Sequence, residues 1–341
     1  MTRIFLTGAS GYIGGDLLHT LQATHPEYEI VALVRDGSKA EEISKAYPNI
    51  RLVLGDLDNV SLIEDEARNA DIVANLASNK HLKSAEAIAR GLQGRDPTQP
   101  GYWIQVSGAS VLCVPEIQNR TFGEPSSKSY GDIDDSAEIT DLISQYSSIR
   151  VIDNYILGLA RSSSKLKTAL VFPPIIYGNG RGPINQRSIQ VPELARVTLQ
   201  NRTGFQVGRG LNTWSNIHIT DLSQLSLKLV EKAVANAGGQ LWAEDGLYFP
   251  ENGAISFRDI GLLVAQEAEK LGFIQDGSKL KEVTASEADE LMSNGSVFWG
   301  TNAKEKAQRA LKYLAWTPMA RSLEEDIPDT VRAEASKIAK L

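Results

Sequence analysis

A glycine-rich segment near the start of the chain constrains the fold more than any other feature. The apolar run Arg3–Thr7 leads directly into Gly8, and the spacing Gly-x-x-Gly-x-x-Gly ends at Gly14. Apolar residues at helical spacing continue over Tyr12–Thr24. In such a unit the first glycine permits a tight turn, Gly11 lets the backbone approach a pyrophosphate, and the third lets helix and sheet pack closely. Since a helix N-terminus favours phosphate, the segment predicts a dinucleotide-binding βα unit.

The first half of the chain repeats this alternation of strand and helix. The predicted strands are Arg3–Thr7, Ile30–Val34, Ile50–Leu54, Asp71–Asn75, Tyr102–Ser107 and Lys167–Phe172. The predicted helices are Tyr12–Thr24, Ser38–Ala46, Asn59–Ala67, Leu82–Gln93 and Ala137–Ser163. Most of the strands are nearly continuous apolar runs, which is typical of strands covered on both faces of a parallel sheet. We therefore predict an α/β fold with a Rossmann-type, doubly wound parallel sheet.

The pattern changes after Phe172, where prolines and glycines interrupt residues 173–183 and the helices become irregularly spaced. The later predicted helices are Val191–Gln200, Asp221–Ala235, Ser256–Leu271, Thr301–Leu314 and Leu323–Lys337. We predict a dinucleotide-binding Rossmann domain over residues 1–172 and a smaller substrate-binding lobe over residues 173–341. Some segments of this lobe are expected to return to the sheet.

Composition and charge exclude several classes of protein. The 341 residues include 35 Lys and Arg against 42 Asp and Glu, a net charge of −7, which argues against the basic face that nucleic-acid binding needs. No apolar run approaches the ~18 residues of a membrane span, and no signal peptide is evident. The single cysteine, Cys113, cannot form an internal disulfide, and the four histidines lack metal-ligand spacing. We expect a cytoplasmic protein without a metal; a homo-oligomer remains open.

The glycine turn, with Thr7 before it, resembles the opening motif of the extended short-chain dehydrogenase/reductase family. Similar segments follow across nearly the whole chain: Leu54–Leu57, Asn75–Ala77, Phe172–Gly178, Asn216–Leu222 and Asn302–Pro318. The resemblance implies a nicotinamide dinucleotide cofactor and an epimerase/dehydratase-like architecture. The cofactor-binding residues it implies are Thr7, Gly8, Ser10, Gly11, Tyr12, Ile13, Gly14, Asp56, Leu57, Leu76, Ala77, Pro173 and Ile176.

The residue after the second strand bears on which nicotinamide cofactor is bound. An acidic residue there accepts a hydrogen bond from the adenine ribose 2′-hydroxyl, whereas an arginine accommodates a 2′-phosphate. Here the strand ends in Arg35, whose planar, permanently charged guanidinium suits a phosphate. Asp36 follows, but its side chain is expected to point to the other side of the strand end. Lys39 is placed to reach the same phosphate, so the sequence predicts NADP(H).

The catalytic motifs of the family are altered in this chain. Members carry a Ser or Thr after the fifth strand, which hydrogen-bonds the reacting oxygen. On the next helix they carry Tyr-x-x-x-Lys, in which the tyrosine is the general acid/base and the lysine lowers its pKa. In this sequence the hydroxyl position after the fifth strand falls on Ala109. Ser107 and Ser110 are its neighbours and are the candidates to replace it.

The nearest match to Tyr-x-x-x-Lys is Tyr146 followed by Arg150, with arginine where the family has lysine. On a continuous helix this i, i+4 spacing puts both side chains on one face, where the cation would lower the tyrosine pKa. The segment also allows a second register. Aligning the helix on Asp153, where the family often has an acidic residue, places Gln145 and Ile149 at the two positions instead.

Three functions remain open at this point. The first is an NADP(H)-dependent oxidoreductase acting on a small carbonyl or hydroxyl compound, with Tyr146, Arg150, Ser107 and Ser110 as the catalytic candidates. Tyr130 and Tyr177 are further candidates for the acid. The second is an epimerase or dehydratase in which the cofactor is transiently reduced. The third is a regulatory protein that binds NADP(H) without turnover, which the altered catalytic positions favour.

Overall fold

The structure of the protein, a computed structural model, describes residues 2–96, 99–162 and 165–338. Its strands are β1 Arg3–Thr7, β2 Glu29–Val34, β3 Arg51–Leu54, β4 Ile72–Asn75, β5 Gly101–Val106, β6 Tyr130–Gly131, β7 Leu166–Val171, β8 Ile175–Tyr177, β9 Gly204–Val207, β10 Thr213–His218, β11 Leu247–Tyr248, β12 Ala254–Ser256, β13 Leu280–Val283 and β14 Glu305–Lys306. The first five of these lie in the regions where strands are predicted.

The helices follow in chain order. They are α1 Tyr12–Thr24, α2 Gly37–Ala46, α3 Val60–Arg68, α4 Leu82–Gln93, α5 Val114–Asn119, α6 Ser136–Gln145, α7 Val151–Ser162, α8 Gln190–Asn201, α9 Ile219–Val234, α10 Phe257–Lys270, α11 Ala285–Leu291, α12 Gly295–Gly300, α13 Gln308–Tyr313 and α14 Leu323–Ile338. Two short 3-10 helices span Ala109–Cys113 and Ala243–Asp245. In the described ranges no helix is both long and apolar enough to cross a membrane.

Seven parallel strands form the central sheet, in the order β11-β7-β5-β4-β1-β2-β3. This confirms the predicted α/β class with a Rossmann-type parallel sheet. β1 lies near the middle, where Thr7 pairs with Leu33 of β2 and Asn75 of β4. The carboxyl ends of these three strands therefore meet at one edge, directly below the glycine turn. The apolar β1 run is buried because both faces of the sheet are covered.

Each face of the sheet has its own core. Ile4 and Leu6 of β1 pack in the core that contains α1 and α9, whereas Phe5 packs in the core that contains α3, α4 and α7. The alternation follows from the two-residue period of a strand. In the second half, α8, α10 and α14 pack against one another, and β11 pairs with β7 at the edge of the central sheet.

The predicted helix Ala137–Ser163 is wrong, because the structure contains two helices, α6 and α7. The chain turns between them: the backbone N–H groups of Ile149 and Arg150 both donate to the carbonyl oxygen of Tyr146. Ser147 and Ser148 lie in this turn, and serine competes with helical hydrogen bonding. The predicted end at Ser163 lies outside the described residues.

The predicted helix Thr301–Leu314 is also wrong in its first half. Glu305 and Lys306 form β14, which pairs with Tyr130 and Gly131 of β6, and the helix α13 begins only at Gln308. A strand pairing with a segment 175 residues away overrides the local helical pattern here.

Candidate functional site

The glycine turn places the start of α1 directly against the carboxyl ends of β1 and β4. Gly8 has a φ of +82°, and a Cβ there would lie 2.8 Å from the carbonyl carbon of Leu76. A Cβ on Gly14 would lie 2.2 Å from the carbonyl oxygen of Gly8. Both positions therefore require glycine, the first for its backbone conformation and the second for the close approach of helix to turn.

The N-terminus of α1 is available to an anion. Gly11 is its N-cap and provides no side-chain hydrogen bond, and the described first turn contains no acidic residue. Asp16 lies further along the helix and is neutralised inside the fold: Arg181 donates to both of its carboxylate oxygens, at 3.0 and 2.6 Å, and Ser223 donates at 2.6 Å. Burial acts to raise the pKa of Asp16, but these hydrogen bonds outweigh it and lower the pKa. The positive end of α1 is thus not cancelled by its own acid.

Two adjoining cavities open beside this turn. The first, which we call the Arg35 groove, has a volume of about 440 Å³ and runs from Gly8 past Arg35 to His81. The second, the Ile176 pocket, has a volume of about 310 Å³ and continues on the other side of the turn to Ile176. Gly11 and Leu76 line both cavities. Together they form one trough across the N-terminus of α1.

The trough brings together most of the cofactor-binding residues implied by the family resemblance. In the Arg35 groove these are Gly8, Ser10, Gly11, Arg35, Asp56, Leu57, Leu76 and Ala77. In the Ile176 pocket they are Gly11, Tyr12, Ile13, Gly14, Leu76 and Ile176. The hydroxyl of Tyr12 donates to the carbonyl oxygen of Gly178 at 2.6 Å, so this residue also ties α1 to the loop after β8.

Three of the predicted cofactor residues line neither cavity. Thr7 is fully buried beneath the turn, where its hydroxyl donates to the side chain of Asn75 and accepts from the Ala77 N–H at 3.3 Å. Pro173 is buried, and its carbonyl oxygen accepts from the Ala109 N–H at 3.0 Å. Lys39 is half-buried on α2. The polar groups of Thr7 and Pro173 are thus hydrogen-bonded within the fold, where they connect the ends of neighbouring strands.

Arg35 is exposed on the wall of its groove. Its guanidinium forms neither an ion pair nor a hydrogen bond with any residue that the structure describes. Asp36, directly after it, is the N-cap of α2 and accepts from the backbone N–H groups of Ser38 at 2.9 Å and Lys39 at 3.4 Å. A hydrogen bond from the Ser38 hydroxyl at 2.7 Å, together with these two, lowers the pKa of Asp36. One oxygen of this acid, Oδ1, therefore caps α2, and the neighbouring cation is unpaired within the described residues.

The candidate catalytic serines and arginine form a connected network at the end of β5. The hydroxyl of Ser107 donates to Asp153 Oδ2 at 2.8 Å. Arg150 donates from Nη2 to the hydroxyl of Ser110 at 2.7 Å and from Nη1 to the carbonyl oxygen of Gly108 at 3.3 Å. A distance of 3.7 Å separates Arg150 Nη1 from Asp153 Oδ2. The start of α7 is thereby joined to the turn after β5.

Burial dominates the electrostatics of this network. Asp153 is 1% exposed, and burial raises its pKa to about 6 despite the nearby charge of Arg150 and the hydrogen bond from Ser107. Its Oδ1 atom has no hydrogen-bond partner within the described residues. Burial also lowers the pKa of Arg150, against the opposing effect of Asp153. Both pKa shifts favour the neutral form of the residue. The attraction between the two charges at 3.7 Å is thus too weak to offset the cost of removing them from water.

The side chain of Tyr146 forms no hydrogen bond with this network in the part of the chain that the structure describes. Tyr146 ends α6 and is half-buried, and its hydroxyl has no hydrogen-bond partner among the described residues. The expectation that Tyr146 and Arg150 share one helix face is wrong, because the helix is interrupted between them. Tyr177 is buried and its hydroxyl donates to the carbonyl oxygen of Arg321 at 2.7 Å, and burial raises its pKa. Tyr130 is buried beneath Lys128, whose Nζ lies 4.6 Å from the ring centre, and burial raises its pKa as well.

Sequence reasoning missed two parts of the site. The sequence was used only to align the helix on Asp153, and no site role was assigned to it. Its spacing of three residues from Arg150 was a usable signal, since residues at this spacing on a helix lie close together. The far wall of the Ile176 pocket includes Ile189 and Phe298, which come from separate segments of the second half. No local pattern marks these two residues, since only the tertiary structure brings them together.

Comparisons with known proteins agree with this geometry. A family model described as NAD(P)H-binding matches residues 8–98. The Oxidase ucsJ of Acremonium sp. is 35% identical over 344 residues, which cover 98% of each chain. The dTDP-glucose 4,6-dehydratase of Mycobacterium tuberculosis is 23% identical over 242 residues, 67% of this chain and 69% of that protein.

Solved structures share the fold over almost the full length. The dTDP-glucose 4,6-dehydratase of Bacillus anthracis, solved with NAD, gives a TM-score of 0.67 at 16% identity and covers 100% of this chain and 98% of its own. The UDP-glucose 4-epimerase of Thermotoga maritima, solved with UDP-glucose, gives 0.64 at 14% identity, with 99% and 100% covered. The chain belongs to the extended short-chain dehydrogenase/reductase family, and its residues 8–98 match an NAD(P)H-binding family model.

Proposed function

We propose that the protein is an NADP(H)-dependent oxidoreductase that interconverts a carbonyl and a hydroxyl group on a small molecule. One observation carries the cofactor preference: the unpaired guanidinium of Arg35 lies in the groove while Asp36 is bound to its own helix. An adenine ribose with a 2′-phosphate supplies the anion that this cation lacks, whereas the acid directly after it, Asp36, caps α2 with one of its oxygens. The 35% identity to a relative named an oxidase supports redox chemistry.

The residues present fit such a cofactor. The glycine turn leaves a cradle that a Cβ at Gly8 or Gly14 would fill, and the uncapped N-terminus of α1 offers N–H groups to a pyrophosphate. Arg35 would hold the 2′-phosphate. When bound, NADP(H) supplies or accepts a hydride.

For the proton, we propose Ser107 and Asp153 in place of the missing tyrosine and lysine. In the reducing direction the Ser107 hydroxyl, which lines neither the Arg35 groove nor the Ile176 pocket, would donate its proton to a substrate oxygen brought to the end of β5. The protonated carboxyl of Asp153, 2.8 Å away, then returns a proton to Ser107. A pKa of about 6 lets Asp153 hold that proton in weakly acidic solution. Arg150 and Ser110 keep the turn after β5 in place through their 2.7 Å hydrogen bond.

The cofactor assignment is tested by calorimetric titration with NADPH and NADH. Arg35→Ala should weaken NADPH binding by tenfold or more, because charge-assisted hydrogen bonds contribute about 1.5–3 kcal/mol, and should change NADH binding little. Arg258→Ala is the matched control, since Arg258 is also exposed and unpaired in the described chain but lies on α10. Equal losses for both cofactors in Arg35→Ala would contradict the NADP(H) assignment.

Turnover assays separate the proposed function from its alternatives. Net consumption of NADPH with a carbonyl compound supports the oxidoreductase. Conversion of a substrate without net cofactor change would indicate an epimerase or dehydratase instead. Tight NADPH binding without either reaction would favour a regulatory protein.

A further inference from the structure

We infer that the Ile176 pocket takes an uncharged, largely apolar carbonyl compound as the substrate of this enzyme. The inference rests on the proposed function, because that function places the cofactor along the α1 side of the pocket and leaves the opposite side to the second reactant. It concerns the wall of the pocket opposite α1, which the glycine motif does not define.

The walls of the pocket are mainly apolar and come from four separate segments. Ile13 lies on α1, Pro174 and Ile176 belong to the segment around β8, Ile189 precedes α8, and Phe298 lies on α12. Cavities that bind small organic molecules combine such apolar walls with a few polar groups that fix orientation. The lining therefore favours an aliphatic or aromatic body over a heavily hydroxylated one.

Ile189 is the strongest single indication. It lines the cavity and is 63% exposed, although it directly precedes α8, whose first residues are buried. A large apolar side chain at the mouth of a pocket gains favourable free energy when an apolar ligand covers it, about 25 cal/mol per Å² of buried surface. Ile189 therefore gives an apolar substrate a favourable contact, whereas a sugar hydroxyl placed against it would gain nothing from it.

The charges in the pocket are already compensated within the protein. Arg187 is the one cation among the described lining residues. It forms ion pairs with Glu193 at 2.7 Å and with Glu334 at 2.8 Å. A nucleotide sugar carries a diphosphate, whose recognition calls for a cation free to donate to it. Arg187 could serve only by giving up these two ion pairs, after which Glu193 would keep Arg196 and Glu334 would keep Lys337 as partners.

The polar lining groups are also largely engaged. The side-chain amide of Gln190 donates to the carbonyl oxygen of Phe298 at 3.0 Å, and the hydroxyl of Tyr12 donates to the carbonyl oxygen of Gly178 at 2.6 Å. Asn185 lies exposed at the rim. The pocket thus offers few free donors, enough to orient one carbonyl group but not the several hydroxyls of a sugar.

The test measures ligand binding to the NADP⁺-loaded protein, in which no hydride is available and no turnover occurs. Acetophenone and 2-decanone are the apolar probes, and UDP-glucose and dTDP-glucose are the charged ones. We expect both ketones to bind at least tenfold more tightly than either nucleotide sugar. Ile189→Asp should weaken ketone binding by tenfold or more, with a smaller effect on NADP⁺. Leu311→Asp, at a position 50% exposed on α13 and outside the pocket, should change neither affinity.

The outcomes distinguish this inference from the proposed function. Failure of the wild-type protein to bind NADP⁺ or NADPH would contradict the proposed function itself. With the cofactor bound, tighter binding of a nucleotide sugar, binding of neither class, or unchanged ketone affinity in Ile189→Asp would each overturn the substrate assignment.

Discussion

Asp153 illustrates at the residue scale how burial raises the pKa of an acid. It is enclosed at the start of α7, with Ser107 and Arg150 as its polar contacts and one oxygen without a partner in the described chain. A solvated carboxyl would be ionised at neutral pH, but desolvation disfavours the charged form more than Arg150 favours it. The residue therefore titrates near pH 6, where its proton can be exchanged.

This pKa predicts a pH dependence of stability. The folded protein holds the proton of Asp153 up to about pH 6, whereas the unfolded chain releases it near the ordinary value of 3.8. Folding therefore binds a proton between these values, so the stability contributed by the protonated group is present at low pH and is lost as the pH rises through 6. A difference of about two pH units corresponds to about 3 kcal/mol.

Asp153→Asn removes this titration, and thermal unfolding between pH 4 and pH 7 measures the effect. We expect the variant to gain stability relative to the wild type across this range, with Ser107 still able to donate to the amide oxygen. Asp141→Asn, exposed on α6, serves as the control. A stability difference that stays constant with pH would show that Asp153 is ionised throughout.

At the scale of elements, the interruption between α6 and α7 decides which side chains reach the end of β5. The turn at Tyr146 ends α6. Arg150 lies directly before α7, and its side chain is buried where it donates to the hydroxyl of Ser110. A continuous helix would have carried Tyr146 along the same face as Arg150. The break instead makes the α7 residue Asp153 the partner of Ser107.

Two substitutions discriminate between the resulting mechanisms. If Ser107 transfers the proton, Ser107→Ala should reduce kcat by roughly 10²–10⁴, the usual contribution of general acid–base catalysis, and should remove the pH dependence of kcat near 6. Tyr146→Phe should then retain kcat within about twofold. The opposite result, a large loss in Tyr146→Phe with Ser107→Ala nearly unaffected, would restore the tyrosine hypothesis drawn from the sequence. Kinetics with NADPH and a carbonyl substrate provide both readouts.

At the scale of the whole molecule, one buried ion pair fastens the first helix to the second half of the chain. Asp16 on α1 is fully buried, and it accepts hydrogen bonds from Arg181, in the loop after β8, and from Ser223 on α9. Gly182 lies so close to α1 that a Cβ on it would come within 2.7 Å of the Gly15 Cα. This contact holds the loop after β8 against α1.

Breaking the pair should destabilise the protein substantially. Arg181→Ala would leave the Asp16 carboxylate buried without its counter-charge, which typically costs roughly 3 kcal/mol or more. Arg209→Ala is the matched control: its pair with Glu124 spans 3.0 Å but is largely exposed, and such pairs contribute about 0–1 kcal/mol. Urea denaturation of the two variants measures the difference. Similar small losses in both would show that Asp16 is protonated or hydrated rather than ion-paired.

The sequence alone determined the features that depend on neighbouring residues. Arg3–Thr7 and Tyr12–Thr24 were predicted with the bounds that the structure has, because apolar periodicity and glycine sterics act over a few residues. The alternation of strands and helices determined the parallel sheet for the same reason, since buried strands and amphipathic helices leave different local patterns. The sequence also indicated that Arg35 rather than an acid follows the second strand.

Only the tertiary structure decided the contacts between distant segments. Ser107 and Asp153 are 46 residues apart, and their pairing depends on a helix break that local periodicity did not reveal. β14 is a strand because it pairs with β6, although its own sequence predicts a helix. Ile13, Ile176, Ile189 and Phe298 meet in one pocket for a similar reason. Burial and strand pairing between remote residues contribute free energy that cannot be read from a short stretch of sequence. They therefore override the local preference for helix or strand where the two disagree.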